Sequence, residues 1–166
     1  MSKQFWYIIG GAFLLSLLSK KNGEPMQTKY PNPGARSRGL KNNNPGNIKE
    51  TGTNWQGQLK PSGDPPFAQF QEMVWGARAM IILIKRTYRN QGIKTIRTII
   101  NRYAPPVENW TDAYIEAVSR RTGINPDAVL SSEDDYKRVI QAMAIHETGA
   151  ADALPNSLYF EANALI

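Results

Sequence analysis

The chain opens with an uninterrupted, uncharged and mostly apolar run, Phe5–Leu18 (FWYIIGGAFLLSLL). As a helix its 14 residues would measure roughly 21 Å, against a hydrocarbon core of about 30 Å. A signal-peptide apolar region has the same length. Two features favour a retained N-terminal membrane anchor over residues 1–19. Trp6, Tyr7 and the lysines at both ends suit a membrane interface, and no A-x-A-like cleavage site follows before Lys20-Lys21. Residues 20–38 (KKNGEPMQTKYPNPGARSR) lack periodicity and are rich in Pro, Gly and basic residues, the signature of a linker.

From residue 39 to 166 the pattern is that of a mainly α domain. Residues 39–70 carry many Asn, Gly and Pro residues with scattered aromatics, which predicts an ordered loop or short hairpin. Val74–Asn90 follows as an apolar-rich helix with a stripe of Met80, Ile81, Leu83, Ile84 and Tyr88. A second helix, Lys94–Tyr103, places Ile96, Ile99, Ile100 and Tyr103 on one face and stops at Ala104-Pro105-Pro106. A third covers about Thr111–Arg121 and ends at Gly123. Ser132–Thr148 is a fourth, opened by a capping-box-like Ser132/Asp135 pair and closed by Gly149. Pro155 suits the start of a short final helix.

Composition narrows the chemistry. The absence of cysteine excludes disulfides and thiolate metal sites. The single histidine, His146, is too little for a zinc site, and no Gly-rich phosphate loop is present, so neither a metal nor another cofactor is expected. The net charge of +6 is unevenly distributed. Residues 1–41 hold seven Lys/Arg against Glu24, while the other 13 basic and 13 acidic residues cancel over 42–166. A nucleic-acid-binding domain carries its positive charge on the fold. A basic flank next to an apolar run reads instead as contact with a lipid membrane, and no nucleic-acid partner is expected. The flank after the anchor is the more positive, and the positive-inside rule would then leave the domain on the cytoplasmic side of a host inner membrane, away from the wall, unless it is exposed only at the next infection.

One carboxylate stands out. Tyr136, Ile140, Met143, Ala144 and Glu147 recur at i, i+4, i+7, i+8 and i+11 of the fourth helix, so an apolar stripe ends in a carboxylate. Burial and the C-terminal helix dipole both raise the pKa of such a group. A carboxyl kept protonated near neutral pH is what glycosidic cleavage needs, because the leaving oxygen must receive a proton. The plain alternative is a solvated residue at a helix end. Among the other carboxylates, Glu72 and Glu108 flank loops, and Asp64 sits in a Gly/Pro turn. Glu133, Asp134 and Asp135 fill a first helical turn, where the dipole alone accounts for them.

Several blocks, in order, resemble a family of small phage virion proteins. They are Arg38–Lys49 (RGLKNNNPGNIK), Trp55-Gln56-Gly57, Phe67-Ala68-Gln69-Phe70, Gly76-Ala77-Arg78-Ala79, Ile99–Asn109 (IINRYAPPVEN) and Ile145-His146-Glu147-Thr148-Gly149. The resemblance covers about residues 36–150 and implies a virion protein with a lysozyme-like, peptidoglycan-cleaving role. Glu147-Thr148-Gly149 is also similar to the Glu-Ser-Gly catalytic motif of lytic transglycosylases and glucosaminidases of the lysozyme superfamily. Asn43–Lys49, Phe67/Phe70 and Tyr103-Ala104 resemble motifs that follow the catalytic glutamate in those enzymes but precede it in this chain. A circular permutation would produce that order.

The resemblance implies a lysozyme-like domain over 39–166 that cuts peptidoglycan glycan strands during cell entry, as a membrane-associated virion component able to contact other virion proteins. Glu147 is the expected catalyst. Tyr103, Asn43, Asn44, Asn47, Asn109, Phe70 and Trp55 are the expected substrate-binding residues. Each has a plainer role available: turn formation for the asparagines, core packing for the aromatics. A transglycosylase needs one carboxylate, with the C6 hydroxyl of the sugar attacking to leave a 1,6-anhydro end. A muramidase or glucosaminidase hydrolase needs a second group to activate water. A non-catalytic brace between membrane and capsid is the third reading.

Overall fold

The computed structural model describes residues 37–105 and 110–166. The expected anchor, all of the expected linker before Ser37, and Glu108 and Asn109 lie outside the described residues. No helix among the described residues is long and apolar enough to cross a membrane.

The described chain is mainly helical. A short helix α1 (Arg38–Lys41) leads into an Asn-rich loop and a two-stranded antiparallel hairpin, β1 (Gln58–Leu59) with β2 (Gln69–Phe70). Gln58 pairs with Phe70 and Leu59 with Gln69, and a bridge between Lys49 and Phe67 ties the loop to the hairpin. Helix α2 (Met73–Ile81) follows, then α3 (Ile96–Tyr103), α4 (Thr111–Thr122), α5 (Glu133–Thr148) and α6 (Asn156–Ala164).

Local chemistry sets these boundaries. Ser132 accepts from the Asp135 N–H at 3.0 Å, and Asp135 accepts from the Ser132 N–H at 3.1 Å, closing the capping box that starts α5. Thr95 and Thr98 form the equivalent box on α3. Gly123 (φ 70°) and Gly149 (φ 71°) end α4 and α5 in the left-handed conformation that glycine adopts without strain.

The expected single helix over Val74–Asn90 is composite. After Ile81 the chain runs without a break into a π-helical stretch, Ile82–Tyr88. Wider π turns rotate the following side chains relative to an α-helix, and such insertions occur at functional sites. Leu83, Thr87 and Tyr88 of this stretch all line the main cleft.

Helix α5 forms the centre of the core: Tyr136, Val139, Ile140, Met143 and Ala144 are completely buried. It packs on α4, which also packs on α3, while α2 packs on α6. Helix α2 lies against the Asn-rich loop so closely that a Cβ on Gly76 would stand 1.9 Å from the Asn43 carbonyl oxygen. That contact fixes the loop against the helical body.

Candidate active site

Glu147 is the penultimate residue of α5, at the end of the buried stripe. It lines a cleft of about 720 Å³ with Asn47, Trp55, Phe67, Tyr88, Arg102 and Tyr103. The carboxylate is tethered across the fold. The Asn47 side-chain amide donates to the Glu147 main-chain carbonyl at 3.0 Å and to its Oε2 at 3.1 Å. Asn47 reaches it from a left-handed backbone (φ 48°), a conformation asparagine tolerates better than most residues.

Burial raises the pKa of Glu147, opposed by the Asn47 amide and by the Tyr114 hydroxyl. Tyr114 lies close enough to exert this effect, yet its hydroxyl is buried and falls short of hydrogen-bond geometry with any described partner. Catalytic hydrogen bonds are commonly loose in unliganded sites and tighten in complexes.

Tyr103 forms part of the cleft wall and donates its hydroxyl to the Gly46 carbonyl. Its pKa is well above the ordinary phenol value, through burial first and the nearby Glu147 charge second. It therefore remains a neutral donor. A Cβ on Gly46 would lie 2.3 Å from the Tyr103 hydroxyl, so that approach requires glycine.

The cleft thus brings together Glu147, Asn47, Tyr103 and Trp55 from the expected set. The other expected binders lie elsewhere. Asn44 is fully buried, and both its amide N–H groups and its side-chain oxygen serve the loop. It donates to the Ile48 carbonyl at 2.9 Å and the Ala68 carbonyl at 2.8 Å, and it accepts from the Ile48 N–H at 2.9 Å. Asn43 donates to the carbonyls of Phe70 (3.0 Å) and Gln71 (3.2 Å) from a left-handed backbone (φ 51°). Phe70 is 1% exposed and belongs to the core. Asn109 lies outside the described residues.

Four of the rival carboxylates, Asp64, Glu133, Asp134 and Asp135, have structural tasks. Asp64 accepts from Asn42 at 2.8 Å and pairs with Arg38 at 3.1 Å. Glu133, Asp134 and Asp135 all pair with Lys or Arg side chains. Among the described residues, no group of three or more His, Cys, Asp or Glu is disposed to hold a metal ion.

Over 117 residues the chain is 40% identical to protein P5 of Pseudoalteromonas phage PM2, an alignment covering 69% of this chain and 72% of that protein. The chain belongs to the P5 family. No protein-family model matches it. The name P5 designates no activity, so family membership contributes a phage setting and leaves the chemistry to the site.

In this P5-family chain the sequence reading missed Tyr114 and assigned no role to His146. Their rings stack with centroids 3.7 Å apart and planes 13° apart, directly beside Glu147. The only available signal was the adjacency of His146 to Glu147, because the partner ring comes from another helix.

Proposed function

We propose that the protein cleaves the glycan strands of bacterial peptidoglycan as a lytic transglycosylase, using a circularly permuted lysozyme-like domain. The observation that carries the reading is Glu147: a largely buried carboxyl with a raised pKa, held by Asn47 at the wall of a cleft. Among the described cleft-lining residues it is the lone carboxylate. A two-carboxylate hydrolase needs a partner at about 5–10 Å; no other described cleft-lining residue supplies one, which favours intramolecular attack by the sugar, with Glu108 outside the described residues.

In that reaction the protonated Glu147 gives its proton to the glycosidic oxygen as the C1–O bond breaks. The carboxylate then takes the proton of the C6 hydroxyl while O6 bonds to C1, which closes the 1,6-anhydro ring and returns Glu147 to its acid form. Trp55, half-buried in the cleft, offers a ring face to a sugar. Tyr103 remains a neutral hydrogen-bonding wall. The protein acts in the virion, attached to membrane through residues 5–18, and opens the wall locally during entry.

Clearing of purified sacculi by the full-length chain tests the reading. Wild type is expected to clear them. Glu147→Gln should slow clearing by about 10²–10⁴-fold, the range general acid–base groups contribute. Equal clearing by both proteins would remove Glu147 from the chemistry. No clearing by the folded wild type across several wall types would leave a non-catalytic virion brace.

A further inference from the structure

The Tyr114 hydroxyl is a buried polar group without a well-formed hydrogen bond, and leaving such a group unpaired is costly. Its ring is clamped from one side by His146, at 3.7 Å and nearly parallel, so the hydroxyl cannot swing away to find another partner without breaking the stack. His146 is the residue before Glu147 on α5, while Tyr114 stands on α4. The stack therefore ties Tyr114 on α4 to the residue that precedes Glu147 on α5. We propose that Tyr114 is a positioning residue whose hydroxyl, held by the His146 ring, is kept in reserve as a donor to the ionised carboxylate of Glu147.

The reserve matters because Glu147 alternates between two forms if it works as proposed above, a reading on which the catalytic consequence rests. As an acid it needs no second donor. As the carboxylate left after proton transfer, it is a buried charge, and each added donor lowers the cost of that state. Asn47 serves both forms, since it also holds the main-chain carbonyl. Tyr114 makes its stronger, charge-assisted hydrogen bond with the anion. Its own proton stays in place, because burial and the Glu147 charge hold its pKa well above the ordinary phenol value.

Other groups also face this centre. The Tyr103 hydroxyl approaches from α3 with Tyr88 behind it, and Arg121 lies near His146. Burial and that arginine lower the His146 pKa, which keeps its imidazole neutral at neutral pH. Arg102 and Lys49 are the cations lining the cleft.

The test is a carbon-detected NMR titration of Glu147 in the full-length protein, with the Tyr114 ring signals followed in parallel. In wild type the Tyr114 ring carbons should titrate in step with the Glu147 carboxyl carbon. Tyr114→Phe keeps the ring and removes the donor, and should move the Glu147 midpoint upward. His146→Ala should do the same in part, and His146→Phe, which preserves a stacked ring, should restore it. Tyr114→Phe should lower kcat on peptidoglycan by about tenfold with KM unchanged, equivalent to about 1.4 kcal/mol.

An unchanged Glu147 midpoint in folded Tyr114→Phe would overturn the proposal. So would Tyr114 signals in wild type that ignore the Glu147 titration, a readout that does not depend on any variant folding. A coupled titration in a protein that cuts no glycan would retain the pairing and reject the glycosidase reading instead.

Discussion

Asn47 joins the loop to α5 over a separation of 100 residues, and its removal has a consequence that depends on pH. Gly is the informative replacement. The backbone has φ 48°, which glycine accepts, whereas alanine would add about 1–2 kcal/mol of strain. Asn47→Gly deletes two hydrogen bonds from one amide. The bond to the Glu147 carbonyl is neutral and contributes about 0.5–1.5 kcal/mol at any pH, while the bond to Oε2 contributes about 1.5–3 kcal/mol when the carboxylate is charged. The loss should therefore be about 2–4 kcal/mol at pH 8 and about 1–2 kcal/mol at pH 4, where Glu147 is protonated.

The direction follows from linkage. Burial raises the folded-state pKa of Glu147, so its contribution is fully present below the ordinary carboxylate pKa and is lost as pH rises through the folded value. Without the Asn47 amide that folded value rises further, and the variant loses more stability than wild type over the same interval. Urea denaturation at the two pH values measures both terms, and thermal melts should differ by about 4 °C for each kcal/mol. Equal destabilisation at pH 4 and pH 8 would refute the coupling between the amide and the carboxylate.

Further outcomes follow from the same geometry. Glu147→Gln should raise Tm above wild type at pH 8 and leave it near wild type at pH 4, because the cost of a buried charge is removed only where that charge exists; differential scanning calorimetry reads this directly. Trp55→Ala should raise KM for soluble glycan fragments several-fold with little change in kcat, consistent with about 0.5–1.5 kcal/mol for an aromatic contact. Phe70→Ala should instead lower stability by about 3–5 kcal/mol in denaturation, as a fully buried phenylalanine does, with no selective effect on KM.

Much of the helical framework was legible because its signals are local. The Ser132/Asp135 box, Gly149 and the stripe from Tyr136 to Ala144 together located α5 and put Glu147 at the end of its buried face. An ordered loop or short hairpin was expected from the Asn, Gly and Pro content of residues 39–70, and the chain forms both. The π-helical turn over Ile82–Tyr88 was not, because its apolar spacing is also satisfied by an ordinary helix and no Pro or Gly interrupts it. Within the Asn-rich loop, residue type alone could not separate Asn47, which faces Glu147, from Asn43 and Asn44, whose amides are consumed by main-chain carbonyls. That division depends on where the hairpin and α2 bring the carbonyls. Tyr114 was hidden for the same reason: on α4 it is one more buried position, and its meaning arises only where α4 meets α5.

On the reading proposed here one largely buried acid, Glu147, cuts glycan strands by intramolecular transfer. The most direct measurement is mass spectrometry of the fragments released from purified peptidoglycan by full-length wild type and by Glu147→Gln. Wild type should release 1,6-anhydro ends and the variant none. Reducing ends from wild type would contradict the transfer step, and anhydro ends from both proteins would contradict the assignment of Glu147.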